Sequence, residues 1–388
     1  MTALGANQKP MISVVMPCLN EEASVGLCIQ KAYEALTSSG WSGEVIIVDN
    51  GSTDHSVEIA KNCGAQVIHE HVRGYGKACL TGLRAANGEI LLMGDADMSY
   101  DFGEIPKLIE PLQHGYQMVL GTRFRGGMKP GAMPLHNQYL GNPVLTLMLN
   151  GLFGMRVSDA HTGMRAFTAD AFHKMGLRAT GMEFASEMLI KAKRADLKLC
   201  EIPISYHPRE GTSKLRPLAD AWRHIHFMLL YSSTSLFLAP GLTMLLLGLL
   251  ILIVLAFGPI RIGGAMLDFH YMFVGSLVAL AGNQLLLLGI MARTYADAAQ
   301  FEPADELIQK FLELFTLGRG ILLGTGITAL GLLIFLRIFI VWVLSNFQAL
   351  DEVRGGIMGL TLTILGMQYI FASLLLSFTL LPHVTEPE

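Results

Sequence analysis

Beyond Leu236 the chain carries four apolar runs, at about 236–257, 271–292, 318–344 and 356–381, each long enough to cross a bilayer. In lipid every backbone polar group must find its partner within the chain, so this part is predicted to form an α-helical transmembrane domain of four spans. The 230 or so residues before it hold most of the charge, mixed in sign. A chain of 388 residues that is 52% hydrophobic therefore reads as a soluble part joined to a membrane part. Four spans return the chain to the side from which it entered. The loop between the second and third carries Arg293, Lys310 and Arg319, against Arg261 alone in the first opposite loop and Arg354 in the other, which favours a cytosolic soluble part. Arg337 lies inside the third run, where it is expected to snorkel or to face the bundle. The first ten residues, MTALGANQKP, have no apolar core flanked by basic residues, so no cleavable signal peptide is expected.

In the soluble part, short β-rich runs alternate with stretches of helical periodicity. Strands are predicted at Ile12 to Met16, Val45 to Val48, Gln66 to His69, Ile90 to Met93 and Met118 to Leu120, and helices at about Ala23 to Ser38, Ser56 to Cys63 and Gly76 to Ala86. That alternation argues for an α/β domain built on a parallel, doubly wound sheet, in which ligands sit beyond the carboxyl ends of the strands. Leu215 to Tyr231 mixes Arg216, Arg223, His224 and His226 with Leu, Trp, Phe and Met. It suits an amphipathic helix lying on the membrane, or else a core helix of the soluble domain. The expected division is residues 1–214 for the soluble domain, 215–235 for the interfacial helix and 236–388 for the membrane domain.

The polar segments at the strand ends carry the chemistry. Asp95 and Asp97 follow the strand Ile90 to Met93 and can both reach one hard divalent cation, which in turn neutralises a diphosphate. Pro17-Cys18-Leu19-Asn20-Glu21-Glu22 and Asp49-Asn50-Gly51-Ser52-Thr53-Asp54 read as capped strand-to-helix turns. Asp49 can also accept hydrogen bonds from a ribose or base edge. A net charge of −4 offers no basic field for nucleic acid. The five cysteines (Cys18, Cys28, Cys63, Cys79, Cys200) have no metal-ligand spacing and read as small buried hydrophobes. Arg73-Gly74-Tyr75-Gly76-Lys77-Ala78 lacks the third glycine of a dinucleotide fingerprint and forms no Walker loop.

Taken in order, VVMPCLNEE, IIVDNGSTD, RGYGKA, GDADMS, GTRFRGG, DAHTGMRAF, GMEFASE and HPREGTSKL resemble the inverting glycosyltransferases of the dolichol-phosphate mannose or glucose synthase type. The resemblance covers about residues 11–230 and implies a nucleotide-sugar-binding (GT-A-like) domain. It implies that Pro17, Asn20, Glu21 and Asp49 hold the nucleoside, that Asp95 and Asp97 hold Mg2+ or Mn2+ on the diphosphate, and that Arg73 and Lys77 follow the phosphates. Arg123 would meet the acceptor phosphate, a task that suits the planar guanidinium fork. Where relatives carry a further arginine pair this chain reads Pro134-Leu135-His136-Asn137-Gln138, leaving His136 as the candidate.

Asp159 matches the aspartate usually proposed as base. An acceptor phosphate is already ionised, so Asp159 could equally orient Arg123 or the sugar. His161 is expected to pack, or else to orient Arg123 or the sugar in the same way, and Glu183 and Glu187 to meet sugar hydroxyls or solvent. Arg209, Ser213 and Lys214 would lie on a loop closing over the diphosphate.

The expected function is transfer of one hexose from a UDP- or GDP-sugar to a polyprenyl (undecaprenyl or dolichyl) phosphate, with inversion, by a multi-pass membrane protein. Its partners would be the donor, the lipid phosphate and the bilayer; homo-oligomerisation is left open. A processive polysaccharide synthase is disfavoured because no Gln-x-x-Arg-Trp string occurs. A silent nucleotide-binding scaffold is disfavoured because Asp95, Asp97 and Arg123 are intact.

Overall fold

The computed structural model describes residues 10–211, 217–232, 234–298, 310, 315–348 and 350–379. The chain divides after Leu230 into two compact units. The first contains β1 (Ile12–Cys18), α1 (Val25–Ser38), β2 (Gly43–Asp49), α2 (Ser56–Asn62), β3 (Gln66–His69), α3 (Tyr75–Ala85), β4 (Ile90–Met93), α4 (Ile105–Gln113) and β5 (Met118–Thr122). It continues with α5 (Asn142–Phe153), β6 (Arg165–Thr168), α6 (Ala169–Met175), α7 (Phe184–Arg194), β7 (Leu199–Pro203) and α8 (Pro217–Leu230).

Seven strands form one sheet in the order β3-β2-β1-β4-β6-β5-β7. The sheet is mixed, which corrects the parallel expectation: β6 runs antiparallel to both β4 and β5, with Arg165 opposite Met93 and Leu120. After β5 the chain makes a long excursion through α5, and re-enters the sheet at the end where β5 left it, running back between two strands already laid down. The alternating residues Ile12, Val14, Met16 and Cys18 of β1 share a buried core with Ile29 and Leu36 of α1 and Ile105 and Ile109 of α4. Each such side chain contributes roughly 1.5–3 kcal/mol by leaving water. On the other face α3 packs close at Gly82, where a Cβ would stand 2.4 Å from Val15 and 2.6 Å from Val48.

This topology places the functional segments. β1, β2 and β4 are mutually parallel, so the loops after Cys18, Asp49 and Met93 share one rim. Antiparallel β6 begins at that rim, which delivers residues 159–164 to it. β5 and β7 end there, bringing Arg123 and residues 204–210.

The second unit holds α9 (Ala239–Ala256), a small hairpin of β8 (Ile260–Ile262) and β9 (Ala265–Leu267), α10 (Phe269–Ala298), α11 (Leu317–Leu344) and α12 (Val353–Thr379). Leu236–Ala256, Phe269–Thr294, Leu317–Leu344 and Val353–Phe378 are long and apolar enough to cross a membrane, close to the runs read from sequence. Glycines let the helices approach in pairs. A Cβ on Gly248 or Gly282 would clash with the facing backbone at 2.3 Å, and one on Gly324 or Gly331 would meet α12 at 2.6 and 2.4 Å. Across α10 and α12, Ser276 bonds Thr361 at 2.7 Å and the Asn283 amide donates to Gln368 at 2.7 Å. Arg337 pairs with Glu352 at 3.1 Å.

Candidate active site

The turn after β4 presents the two acids differently. Met98 adopts a left-handed conformation (φ 61°), and the Ser99 N–H and hydroxyl both donate to Asp97 Oδ1, the N–H at 3.0 Å. Tyr75, the first residue of α3, donates its hydroxyl to Asp95 Oδ1 at 3.0 Å. The other Asp95 oxygen faces Gly163, where a Cβ would stand 2.6 Å away. Burial, and then the charge of Asp97, push the Asp95 carboxyl up to about 7, against the Tyr75 hydrogen bond and the charges of Arg123 and Arg209. Crowded carboxylates with one oxygen each outside these turn bonds fit a hard divalent cation. Such ions take one or two carboxylates and fill the remaining positions with substrate phosphate and water. No group of three His, Cys, Asp or Glu side chains suited to a metal occurs among the described residues.

The loops after β1 and β2 are laced together. Asn20 accepts from the Thr53 N–H at 2.7 Å, Glu21 donates its N–H to Ser56 Oγ at 2.8 Å, and Glu22 receives the His55 N–H at 3.1 Å. Pro17 sits within β1, opposite Val48. Asp49 ends β2, accepting the Ser52 N–H at 2.9 Å and approaching His69 Nδ1 at 3.0 Å. Burial raises its pKa, but the bonds from Ser52 and His69 outweigh this and hold it below the usual range. Arg73 lies over the same loop, 3.4 Å from the Gly51 carbonyl. Lys77 pairs with Glu70 at 3.7 Å.

The densest polar cluster joins β5 to the segment before β6. Arg123 donates through Nε and Nη2 to the two oxygens of Asp159, both at 2.8 Å, and its backbone N–H adds a third bond at 3.0 Å. Both side chains are buried, at 7% and 0% exposure. Glu201 of β7 fixes the segment by accepting the Ser158 and Asp159 N–H groups at 2.7 and 3.2 Å. The Tyr206 ring lies against the guanidinium, 5.1 Å from centroid to Cζ. His136 is exposed ahead of α5.

Arg165, 1% exposed, donates to the carbonyls of Ala160, Thr162 and Ala185 and so shapes the loop that carries Asp159. His161 packs as expected, edge-on to His224 of α8 with centroids 4.4 Å apart. Burial first, and then the charge of its neighbours, hold His161 well below its ordinary pKa. Glu187 is no solvated acid: fully buried, it accepts the N–H groups of Arg178 and Ala179 and pairs with Lys191 at 2.8 Å. Glu183 accepts the Gly181 N–H at 3.0 Å. Arg209 reaches Glu21 at 3.0 Å and Asp97 at 3.6 Å. Ser213 and Lys214 lie outside the described residues.

Sequence reasoning missed Tyr75, Tyr206, Arg165 and Glu201. Tyr75 and Arg165 sit inside motifs already singled out, but a pattern of residue types does not say which side chain folds back onto a carboxylate or a carbonyl.

A strand-end rim with paired acids and a locked arginine, in a chain that also carries four membrane-length helices, defines a membrane-attached GT-A-like enzyme. Residues 13–176 match glycosyl transferase family 2, and residues 290–380 match the glycosyltransferase family 2 C-terminal transmembrane region. The chain is 41% identical over 368 residues to the low-salt glycan biosynthesis hexosyltransferase Agl6 of Haloferax volcanii, covering 95% of this chain and 88% of that one. It is 32% identical over 209 residues to a dolichyl-phosphate hexose transferase of the same organism, covering 54% and 88%. Among solved structures, the glucosyl-3-phosphoglycerate synthase of Mycobacterium tuberculosis with Mn2+, UDP-glucose and phosphoglyceric acid is 24% identical, with a TM-score of 0.48, covering 57% of this chain and 79% of that one. The chain belongs to glycosyltransferase family 2 and is a glycosyltransferase of the integral membrane kind.

Proposed function

We propose that this enzyme transfers one hexose from a UDP- or GDP-sugar to a polyprenyl phosphate, with inversion, at the cytosolic face of its membrane. The observation that carries the reading is the Arg123–Asp159 pair on the rim that also bears Asp95 and Asp97. Asp95 and Asp97 would hold Mg2+ or Mn2+, whose chemistry is to neutralise the departing diphosphate. With both of its oxygens bonded to Arg123, Asp159 fixes the guanidinium as a preformed phosphate receptor rather than taking a proton. An oxygen of the acceptor phosphate held there attacks the anomeric carbon from the side opposite the diphosphate. In this reading Pro17, Asn20, Glu21 and Asp49 would hold the nucleoside, Arg73 and Lys77 would follow the phosphates, and His136 would meet the acceptor.

The lipid acceptor requires the site to sit at a membrane surface. Leu140, Val144 and Leu147 expose one apolar stripe along and just before α5, beside Leu135 and Tyr139 at 71% and 73% exposure. α8 buries His224 and Met228 against the domain while Trp222 stays exposed. Both helices suit insertion among lipid head groups. The Haloferax relative named a dolichyl-phosphate hexose transferase supports this acceptor class. The test incubates purified full-length protein with labelled UDP- and GDP-hexoses and undecaprenyl or dolichyl phosphate in vesicles, with the product anomer determined. Formation of a lipid-phosphate hexose of inverted configuration is expected. Absence of transfer to either lipid, or retained configuration, would overturn the proposal.

A further inference from the structure

The segment after β7 lies as a strap across the paired acids. Tyr206 bridges to Tyr100, the His207 N–H donates to the Ser99 carbonyl at 2.9 Å, and the Glu210 N–H donates to the Asp97 carbonyl at 3.0 Å. These bonds place Arg209 between two carboxylates, with Nη2 3.0 Å from Glu21 and Nη1 3.6 Å from Asp97 Oδ2. That Asp97 oxygen is the one left over when Ser99 has taken Oδ1. The Arg209 Nε–H is buried with no hydrogen-bond partner among the described residues. A guanidinium held by two acids while one buried donor remains unspent can still take one more acceptor.

We propose that Arg209 is a resident counter-ion that competes with the divalent cation for Asp97, so that the bare enzyme rejects the cation and admits it together with a nucleoside diphosphate. The inference rests on reading Asp95 and Asp97 as the cation's ligands. A fixed positive charge at one ligand oxygen opposes a second cation arriving at the same place. A diphosphate reverses the balance, because it brings several negative charges and accepts Arg209 through the unspent Nε–H. Cation and nucleotide then raise each other's affinity by one shared factor, and Arg209 is the residue that sets it. The strap would tie binding order to chemistry: no cation waits in the site to activate water before the donor is seated.

The experiment measures Mn2+ bound to the full-length protein, from the loss of the free-ion electron paramagnetic resonance signal, alone and with saturating UDP or GDP. Arg209→Gln is expected to bind Mn2+ about tenfold more tightly than wild type without nucleotide, and more weakly than wild type with it. Arg209→Lys, which keeps the charge, should stay near wild type without nucleotide. Melting curves establish that each variant is folded. If Arg209→Gln leaves nucleotide-free Mn2+ affinity unchanged or weaker, the competition does not exist and the inference falls. If wild type and variants all fail to bind Mn2+ even with nucleotide, the assignment of Asp95 and Asp97 as cation ligands falls with it.

Discussion

Replacing Asp159 with Asn preserves shape while removing the charge that balances Arg123. Because the pair is 7% and 0% exposed, solvent screens it little, and the variant leaves a buried guanidinium uncompensated. Deleting one member of a buried pair costs about 3–5 kcal/mol. The Tyr206 ring 5.1 Å from the guanidinium remains as partial compensation and favours the lower end, about 3 kcal/mol. At about 2–4 °C per kcal/mol for a domain of this size, the first unit should melt about 6–12 °C lower. Intrinsic fluorescence in detergent reads this directly, since Trp41 and Trp222 lie in that unit. Arg123→Met with Asp159→Leu, which removes both charges, should recover most of the loss. A drop of less than about 2 °C in Asp159→Asn would refute the pairing as a source of stability. Activity separates positioning from base catalysis. If Asp159 positions Arg123, kcat/KM falls about 10²–10³-fold by the same factor at every pH from about 6 to 9. A deficit that shrinks steadily as pH rises would show that a base had been removed.

Asp97→Asn keeps an acceptor for the Ser99 bonds, so it should fold with a melting point within about 2 °C of wild type while transfer falls at least about 10³-fold; comparable transfer would sink the cation assignment. Asp95 has a folded pKa of about 7, above its ordinary value of 3.8, so its contribution to stability is complete below about pH 4 and is lost as pH rises toward 7. Asp95→Asn should therefore stabilise the metal-free protein over wild type more at pH 8 than at pH 5, by on the order of 2–4 kcal/mol, read as a larger rise in melting point at pH 8; equal shifts at both pH values would contradict the burial argument. Leu147→Asp, on the exposed face of α5, should cut transfer to vesicle-borne acceptor by about tenfold and leave UDP or GDP affinity unchanged in isothermal titration; parallel losses in both would remove α5 from the membrane surface.

Much of this architecture is legible in the residues. Short apolar runs bounded by turn residues, such as Ile90 to Met93 and Val45 to Val48, are legible as buried strands, and the membrane helices follow from the length and apolar composition of their runs. β6 escaped because Arg-Ala-Phe-Thr opens on a charge and is four residues long, and because its buried arginine is satisfied by carbonyls that only the fold brings near. β7 escaped for another reason: Leu-Cys-Glu-Ile-Pro lies half-buried at the sheet edge, where Pro203 is tolerated and Glu201 is needed to hold Ser158. The candidate site divides in the same way. Asp95 and Asp97 announce themselves by position after a strand and Arg123 by its match to the family motif, whereas Glu187 reads as a helical acid facing sugar or solvent, and only the fold brings the backbone of 178–179 onto it.

The polar contacts between α10 and α12 repeat at the interval of the glycines. Ser276 and Asn283 are seven residues apart, as are their partners Thr361 and Gln368. Sliding one helix along the other by two turns would mate a single pair and strand the other in hydrocarbon, so the alignment of the two hairpins is keyed by matched polarity. Within each hairpin the glycine contacts decide only how near the backbones come. A bundle assembled this way can lose leucines to other apolar residues at little cost, yet has almost no freedom in the polar side chains that lock its halves together.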